Sequence, residues 1–77
     1  MSPRLPILKP REVLRALQRV GFEINHQSGS HVQLRHPEKP HLRVTVPRHD
    51  RFDLPTPVLK SILRQAELTV EEFLNVL

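Results

Sequence analysis

Histidine is the residue type in this sequence best suited to chemistry, and three histidines fall within the twelve residues HQSGSHVQLRHP at positions 26–37. An imidazole titrates near neutral pH, so it can take a proton from one group and give one to another. The chain has no cysteine, which excludes disulfides, thiolate zinc sites and a cysteine nucleophile. The question is therefore which imidazole could meet a substrate.

The residues around these histidines alternate between apolar and polar side chains, as in strands with one buried face. Ser28-Gly29 and the segment HPEKP separate three such stretches. The pattern predicts a three-stranded antiparallel meander. Its apolar face is predicted to hold Phe22, Ile24, Val32, Leu34, Leu42, Val44 and Val46, and its open face Glu23, Asn25, Gln27, His31, Gln33, Arg35, Arg43 and Thr45.

Strand parity separates the histidines. His26 and His36 have the parity of the apolar positions, whereas His31 has polar parity and directly follows a glycine-containing turn. An open face that carries amides, arginines and a histidine could bind RNA. On that interpretation we predict that His31 takes a proton from a ribose 2′-OH or gives one to a leaving 5′-oxygen, with Arg35 and Arg43 stabilising the phosphate. The alternative is that His31 is a strand residue without a chemical role.

A metal site is not expected from the spacing of the histidines. Those at positions 26, 31, 36 and 41 are five residues apart, and an odd separation sends successive members of a strand to opposite faces. Zinc needs three or four ligands that converge on one point. The HExxH pattern is also missing, so neither a metal nor another cofactor is predicted.

Three helical patterns surround the predicted sheet. The first helix is predicted at about 10–20, between Pro10 and Gly21. The second is predicted at about 57–66, where Thr56 and Pro57 begin it, and the third at about 70–76, after a Thr69–Glu72 capping box. The expected architecture is a two-layer α+β fold, α-β-β-β-α, with the helices on one face of the sheet and a short C-terminal helix. Residues 1–8 are predicted to be a loosely ordered tail and residues 9–77 a single domain.

Charge gives a weaker indication of the partner. The formal net charge is +4 and nine of the twelve basic residues are arginine, which suits bidentate phosphate contacts. Solubility alone also favours such a charge. The cationic side of the first helix, at Lys9, Arg11, Arg15 and Arg19, is either a track for an RNA backbone or a solvated surface. No apolar run is long enough to cross a membrane, and the N-terminus lacks the features of a signal peptide, so a cytoplasmic location is predicted.

Several short motifs occur in a family-specific order. They are the Gly21-Phe22 junction, the Gly29-Ser30-His31 triplet with His36-Pro37, the VPRH segment at 46–49, and ILRQA at 62–66. Together they resemble the HicA (YcfA-like) toxins of bacterial toxin–antitoxin pairs over nearly all of residues 9–73. Glu67 departs from the family, in which glycine commonly follows "QA", and we expect it to lie in a tight connection that is not left-handed.

The resemblance implies a fold similar to the double-stranded-RNA-binding domain, an mRNA-cleaving activity with growth arrest as its outcome, and a HicB-like antitoxin that covers the active surface. It implies that His31, the histidine of the GSH motif, is catalytic. The residues expected to bind RNA are Lys9, Arg11, Ser30, Arg35, Arg43, Arg48 and His49. His49 is either a second proton carrier or a loop residue.

Two other functions remain open at this point. One is a non-catalytic RNA-binding module, and the other is a structural partner of an antitoxin without activity. Cleavage of RNA by the purified protein separates the predicted toxin from both.

Overall fold

A computed structural model of the protein describes residues 4–77. Its elements are α1 (Pro10–Arg19), β1 (Glu23–Ser28), β2 (His31–His36), β3 (Lys39–Pro47), α2 (Thr56–Ala66) and α3 (Val70–Leu74). The three strands form one antiparallel sheet in the order β1-β2-β3. The predicted α-β-β-β-α order, the meander and the short C-terminal helix are confirmed.

Helix α1 begins and ends where its sequence signals stand. Pro10 occupies the first helical position, and the Lys9 N–H donates to the Glu12 carboxylate at 2.9 Å. After the last turn Gly21 takes a φ of +102°, which lets the Phe22 N–H reach back to the Leu17 carbonyl at 3.1 Å. This is the glycine-ended helix expected from the sequence.

One apolar core lies between the sheet and the helices. Strands β2 and β3 alternate buried and more exposed residues along most of their length, and their buried side chains join those of the three helices in one cluster. Its largest fully buried members are Phe73, Leu17, Leu34, Leu59, Ile62, Val13, Val32, Val44 and Val46. With the exception of His36, which is buried, the polar side chains that alternate with these apolar ones therefore lie on the opposite, open face.

Strand β1 departs from simple alternation, and this corrects the predicted faces. The pairing of Ile24 with Leu34 is followed by that of His26 with Gln33, so a bulge at Asn25 shifts the register. Beyond the bulge His26 lies on the open face with Gln33, and Gln27 shares the face of Val32. The predictions that His26 has apolar parity and that Gln27 lies on the open face are wrong, because one extra residue in a strand reverses the face of those that follow it.

The connection after α2 corrects a second expectation. Glu67 caps the helix with φ 56° and ψ 40°, so it adopts the left-handed conformation that was not expected of it. The cap is completed by the Leu68 N–H, which donates to the Leu63 carbonyl at 3.0 Å. Helix α2 also begins one residue earlier than predicted, with Pro55 rather than Thr56 as its N-cap.

Helix α3 has the capping box read from the sequence. The Thr69 N–H donates to Glu72 Oε1 at 2.8 Å, and the Glu72 N–H donates to Thr69 Oγ1 at 3.0 Å. Phe73, four residues after Thr69, is fully buried. The box thus fixes the turn that brings this aromatic ring into the core.

The N-terminal segment is attached to the domain over at least part of its length. Leu8 is buried, and its carbonyl accepts a hydrogen bond from the Leu54 N–H at 2.8 Å. Leu5 packs partly against the core. The part of the predicted 1–8 tail near Leu8 is therefore ordered by these contacts, whereas residues 1–3 lie outside the described residues.

Candidate active site between the open sheet face and helix α2

His31 is the first residue of β2 and follows a tight turn. Gly29 has a φ of +56°, and together with Ser30 it connects the paired residues Ser28 and His31. A positive φ at the first central residue is the backbone geometry that glycine allows in two-residue hairpins. The turn therefore fixes the backbone of His31, while its side chain is exposed on the open face.

Helix α2 converts this part of the open face into a groove. The Gln65 Oε1 accepts the outward-directed N–H of Thr45 at 2.9 Å, and Gln65 Nε2 donates to Ser61 Oγ at 3.3 Å. The first bond holds α2 against the free edge of β3, and the second, within α2, orients the Gln65 amide. The resulting groove of about 390 Å³ is lined by His31, Thr45, Pro47, Pro57, Val58, Ser61, Ile62 and Gln65.

The groove has apolar walls with a few polar groups among them, as small-ligand sites commonly have. Its lining is mostly apolar and includes proline, valine and isoleucine side chains, together with hydroxyl, amide and imidazole groups. Sequence reasoning missed this contribution of α2. The Val58–Ala66 pattern predicts only that the helix has a buried face, and nothing in it indicates that Gln65 binds a strand edge.

His49 lines a second groove next to the first. This groove contains Pro10, Pro47, His49, Phe52, Asp53, Leu54, Pro55 and Val58. Pro47 and Val58 line both grooves. The structure thus brings the two candidate histidines of the GSH and VPRH motifs to the two sides of one shared wall.

Arg35 and Arg43 form a cross-strand pair on the open face. Like charges placed opposite each other on neighbouring strands destabilise a sheet. The ion pairs within residues 4–77 are Lys9–Asp53 and Arg48–Asp50. Neither guanidinium group is therefore within ion-pair distance of a described carboxylate, although Glu23 of β1 is the cross-strand partner of Arg35. Four residues along β2 separate Arg35 from His31, or about 13 Å between their Cα atoms. The arginine pair therefore faces a different part of a bound ligand from His31.

The other predicted RNA-binding residues are more dispersed. The Lys9 ammonium lies 3.0 Å from the Asp53 carboxylate and 3.4 Å from the Arg51 carbonyl. Arg48 pairs with Asp50 at 3.0 Å, and Ser30 is half-buried in the turn before His31. Arg11 is exposed on α1. The structure thus groups Ser30, Arg48 and His49 near His31, and it commits Lys9 to a loop carboxylate.

His36 has a structural environment. Its ring is 8 % exposed and meets the Phe22 ring edge to face, with 5.1 Å between the centroids. The Glu38 N–H donates to Nδ1 at 3.2 Å, and Nε2 lies 3.0 Å from the Val20 carbonyl. Because Nδ1 accepts, Nε2 carries the proton and donates to that carbonyl. His36 therefore joins the end of α1 to the end of β2.

The described residues contain few other features that bear on function. Within residues 4–77, no three histidine, aspartate or glutamate side chains lie close enough together to hold a metal ion. The bulge places His26 on the same face as His31, so the parity argument against a metal fails for that pair. In the same part of the chain, no helix has the length and apolar character needed to span a bilayer.

Comparison with known proteins places the chain in a family. A search of curated proteins gave no significant match. Residues 10–68 match the family model described as the HicA toxin of bacterial toxin–antitoxin systems. The matched residues include α1, the whole sheet, α2, and the histidines His31 and His49 of the two grooves. This match covers well over half of the chain, and the α-β-β-β-α fold agrees with the resemblance seen in the motifs. The chain belongs to the HicA toxin family.

Proposed function

We propose that this HicA-family toxin is a metal-independent endoribonuclease that cleaves mRNA, with His31 as an acid–base catalyst. The observation that carries the proposal is the placement of His31. Its backbone is fixed by the turn at Gly29, and its exposed ring lines a groove large enough for one small ligand. A rigid backbone with an accessible imidazole is what positioned proton transfer requires.

The reaction needs two proton transfers and no other reactant. A base removes the proton of a ribose 2′-OH, and O2′ forms a bond to phosphorus. The bond from phosphorus to O5′ breaks, and an acid gives O5′ a proton. The products are a 2′,3′-cyclic phosphate and a 5′-hydroxyl. His31 can perform either transfer, since imidazole has both forms near neutral pH.

Arg35 and Arg43 fit a role in holding the RNA chain. They are about 13 Å from His31 along the strand, so they suit phosphates that flank the cleaved one. A polyanion would also relieve the repulsion between the two guanidinium groups. In this proposal the pair binds flanking phosphates, rather than the scissile phosphate that the sequence led us to expect. Arg48 lies nearer to His31 than these two arginines do, because it directly follows Pro47, the strand partner of His31.

The antitoxin of the pair is proposed to be a HicB-like protein that blocks the same groove. The groove lies at the surface, between α2 and the sheet, so a partner that binds there excludes RNA from His31. Much of its wall is apolar, which is also the surface that a protein partner buries most favourably.

The test compares His31→Ala with His41→Ala, which removes an exposed histidine outside both grooves. In a cleavage assay with EDTA, the purified wild type and His41→Ala are expected to cleave RNA, whereas His31→Ala keeps its fold and RNA binding but loses cleavage. In cells, the wild type and His41→Ala are expected to arrest growth. General acid–base catalysis contributes about 10²–10⁴-fold, so the loss should be at least about 100-fold.

The alternative is a non-catalytic RNA-binding module, in which Arg35 and Arg43 would bind the RNA backbone in the same way. It predicts salt-dependent RNA retention by the wild type without any cleavage. Cleavage that survives in His31→Ala at the wild-type rate would also contradict the proposal.

A further inference from the structure

The groove that contains His49 has no role in the proposed function. It adjoins the His31 groove, because Pro47 and Val58 line both grooves, and the two lie side by side at the junction of β3, α2 and the loop after β3. His49 is exposed. Each histidine thus has its own groove, and a single proline–valine wall lies between them.

Backbone contacts bring the two histidines close together. Pro47 is the strand partner of His31, and His49 follows Pro47 by two residues. The Arg48 N–H between them donates to the Ser30 carbonyl, which ties the His49 segment to the turn before His31. A strand pair spans about 5 Å and two residues of chain span at most about 7 Å, so the Cα atoms are within about 12 Å of each other.

The loop that carries His49 is anchored on its far side as well. The Phe52 N–H donates to the His49 carbonyl at 2.9 Å, and the Leu54 N–H donates to the Leu8 carbonyl at 2.8 Å. The Lys9–Asp53 ion pair adds a third link at 3.0 Å. His49 is therefore exposed and yet held in place, which is the combination already described for His31.

Phe52 gives the second groove an aromatic wall. Its side chain is 67 % exposed although it lines the groove beside His49. Nucleobases stack on exposed aromatic rings whatever their sequence. Phe52 therefore offers a stacking surface for a base in the same groove as His49.

We infer that the two grooves are one dinucleotide site, with the scissile phosphate over Pro47 and Val58 and with His49 as the second proton carrier. One nucleoside lies in the His31 groove and the other lies in the His49 groove. One imidazole accepts the proton of the 2′-OH as O2′ bonds to phosphorus, and the other donates a proton to O5′ as its bond to phosphorus breaks. The role of His49 in proton transfer rests on the proposed ribonuclease function. The binding of a nucleoside in the His49 groove is independent of that function.

The first experiment measures cleavage of a short RNA by the wild type, His31→Ala, His49→Ala and the control His41→Ala. The expected result is a bell-shaped pH dependence of kcat for the wild type and His41→Ala, and a loss of at least about 100-fold with one limb missing for His49→Ala. A His49→Ala enzyme with the wild-type rate and pH profile would overturn the inference and leave the proposed function standing.

A substrate with sulfur in place of O5′ identifies the acid, because a thiolate leaves without being protonated. This substrate is expected to restore cleavage to whichever of His31→Ala and His49→Ala lacks the acid, and not to the other variant. A structural role for His49 predicts a loss of rate that the sulfur substrate does not restore, together with a pH profile that keeps both limbs. Failure to restore either variant would contradict a histidine pair.

The second experiment is independent of cleavage. A dinucleotide that lacks the reactive 2′-OH is titrated into the wild type and Phe52→Ala, and the ring protons of both histidines are followed by NMR. Shifts at both rings and at Phe52, together with an affinity at least about fivefold weaker in Phe52→Ala, support the two-groove site. Shifts at His31 alone would refute it, even if the enzyme cleaves RNA. If the wild type cleaves no RNA, the proposed function fails, and this titration still decides the second groove.

Discussion

The contact between Gly21 and His36 makes a quantitative prediction about stability. A Cβ atom added to Gly21 would lie 2.5 Å from His36 Nε2, and the φ there is +102°. Gly21→Ala therefore adds the strain of a positive φ, about 1 kcal/mol, and displaces a buried ring from hydrogen bonds to Val20 and Glu38 that are worth about 1 kcal/mol each. The expected total is about 3 kcal/mol.

Gly29→Ala is the matched control. Its φ is also positive, at +56°, but nothing lies within 4 Å of the added Cβ, so only the strain of about 1 kcal/mol applies. The smaller entropy of an unfolded alanine is the same for both variants. The difference of about 2 kcal/mol corresponds to about 8–16 °C in Tm for a domain of this size. Thermal and urea unfolding by circular dichroism measure it.

A double-mutant cycle isolates the clash. His36→Ala removes the ring that the new Cβ would meet, so Gly21→Ala should cost about 1 kcal/mol in that background rather than about 3. Equal losses for Gly21→Ala and Gly29→Ala, or strict additivity of the two changes in the double variant, would refute this account of the Gly21-Phe22 junction.

Three further predictions concern single contacts. Glu67→Gly should raise the free energy of unfolding by about 1 kcal/mol, because Glu67 holds a left-handed conformation that glycine adopts without strain. Glu67→Ala should leave the free energy of unfolding unchanged, and an increase in that variant would contradict this reasoning. The hydrogen bonds from the Thr69 backbone and side chain, with the nearby charge of Lys39, lower the pKa of Glu72 below its ordinary value of 4.5. This stabilisation is complete above that value and is lost as the pH falls through the lowered pKa. Glu72→Gln removes the titrating carboxyl group and should therefore flatten the acid limb of unfolding midpoints measured against pH; an unchanged limb would exclude the Glu72 carboxylate as its source. Gln65→Leu leaves the Thr45 N–H without its acceptor, which should lower the free energy of unfolding by about 1–3 kcal/mol and speed hydrogen exchange at that amide. Protection equal to that of the wild type would show that another group accepts the Thr45 N–H.

The sequence was sufficient for the parts of the fold that depend on local signals. Pro10 and Gly21 bound α1, Thr69 and Glu72 cap α3, and the alternation around Val32 predicts the buried face of β2. Each of these rests on a residue whose own backbone or side-chain chemistry determines the outcome. The exposure of His31 on the open face follows from the same alternation.

The remaining features depend on contacts between distant residues. The bulge at Asn25 has no local glycine to mark it, so it reversed the predicted face of His26. Glu67 adopts a left-handed φ because the core contacts of α2 and α3 outweigh its own preference. The groove beside His31 exists because Gln65 binds the edge of β3, twenty residues away in the chain, and no pattern within α2 indicates that contact.

The two edges of the sheet have different prospects for association with other chains. Helix α2 occupies the outer side of β3, where Gln65 already accepts the Thr45 N–H. A strand from a second molecule therefore meets less obstruction beside β1, whose residues are all exposed. The bulge at Asn25 interrupts the regular spacing of hydrogen-bonding groups there, as in many proteins that avoid edge-to-edge aggregation. A tag or engineered strand added at β1 would also leave the His31 groove, on the other side of the sheet, unobstructed.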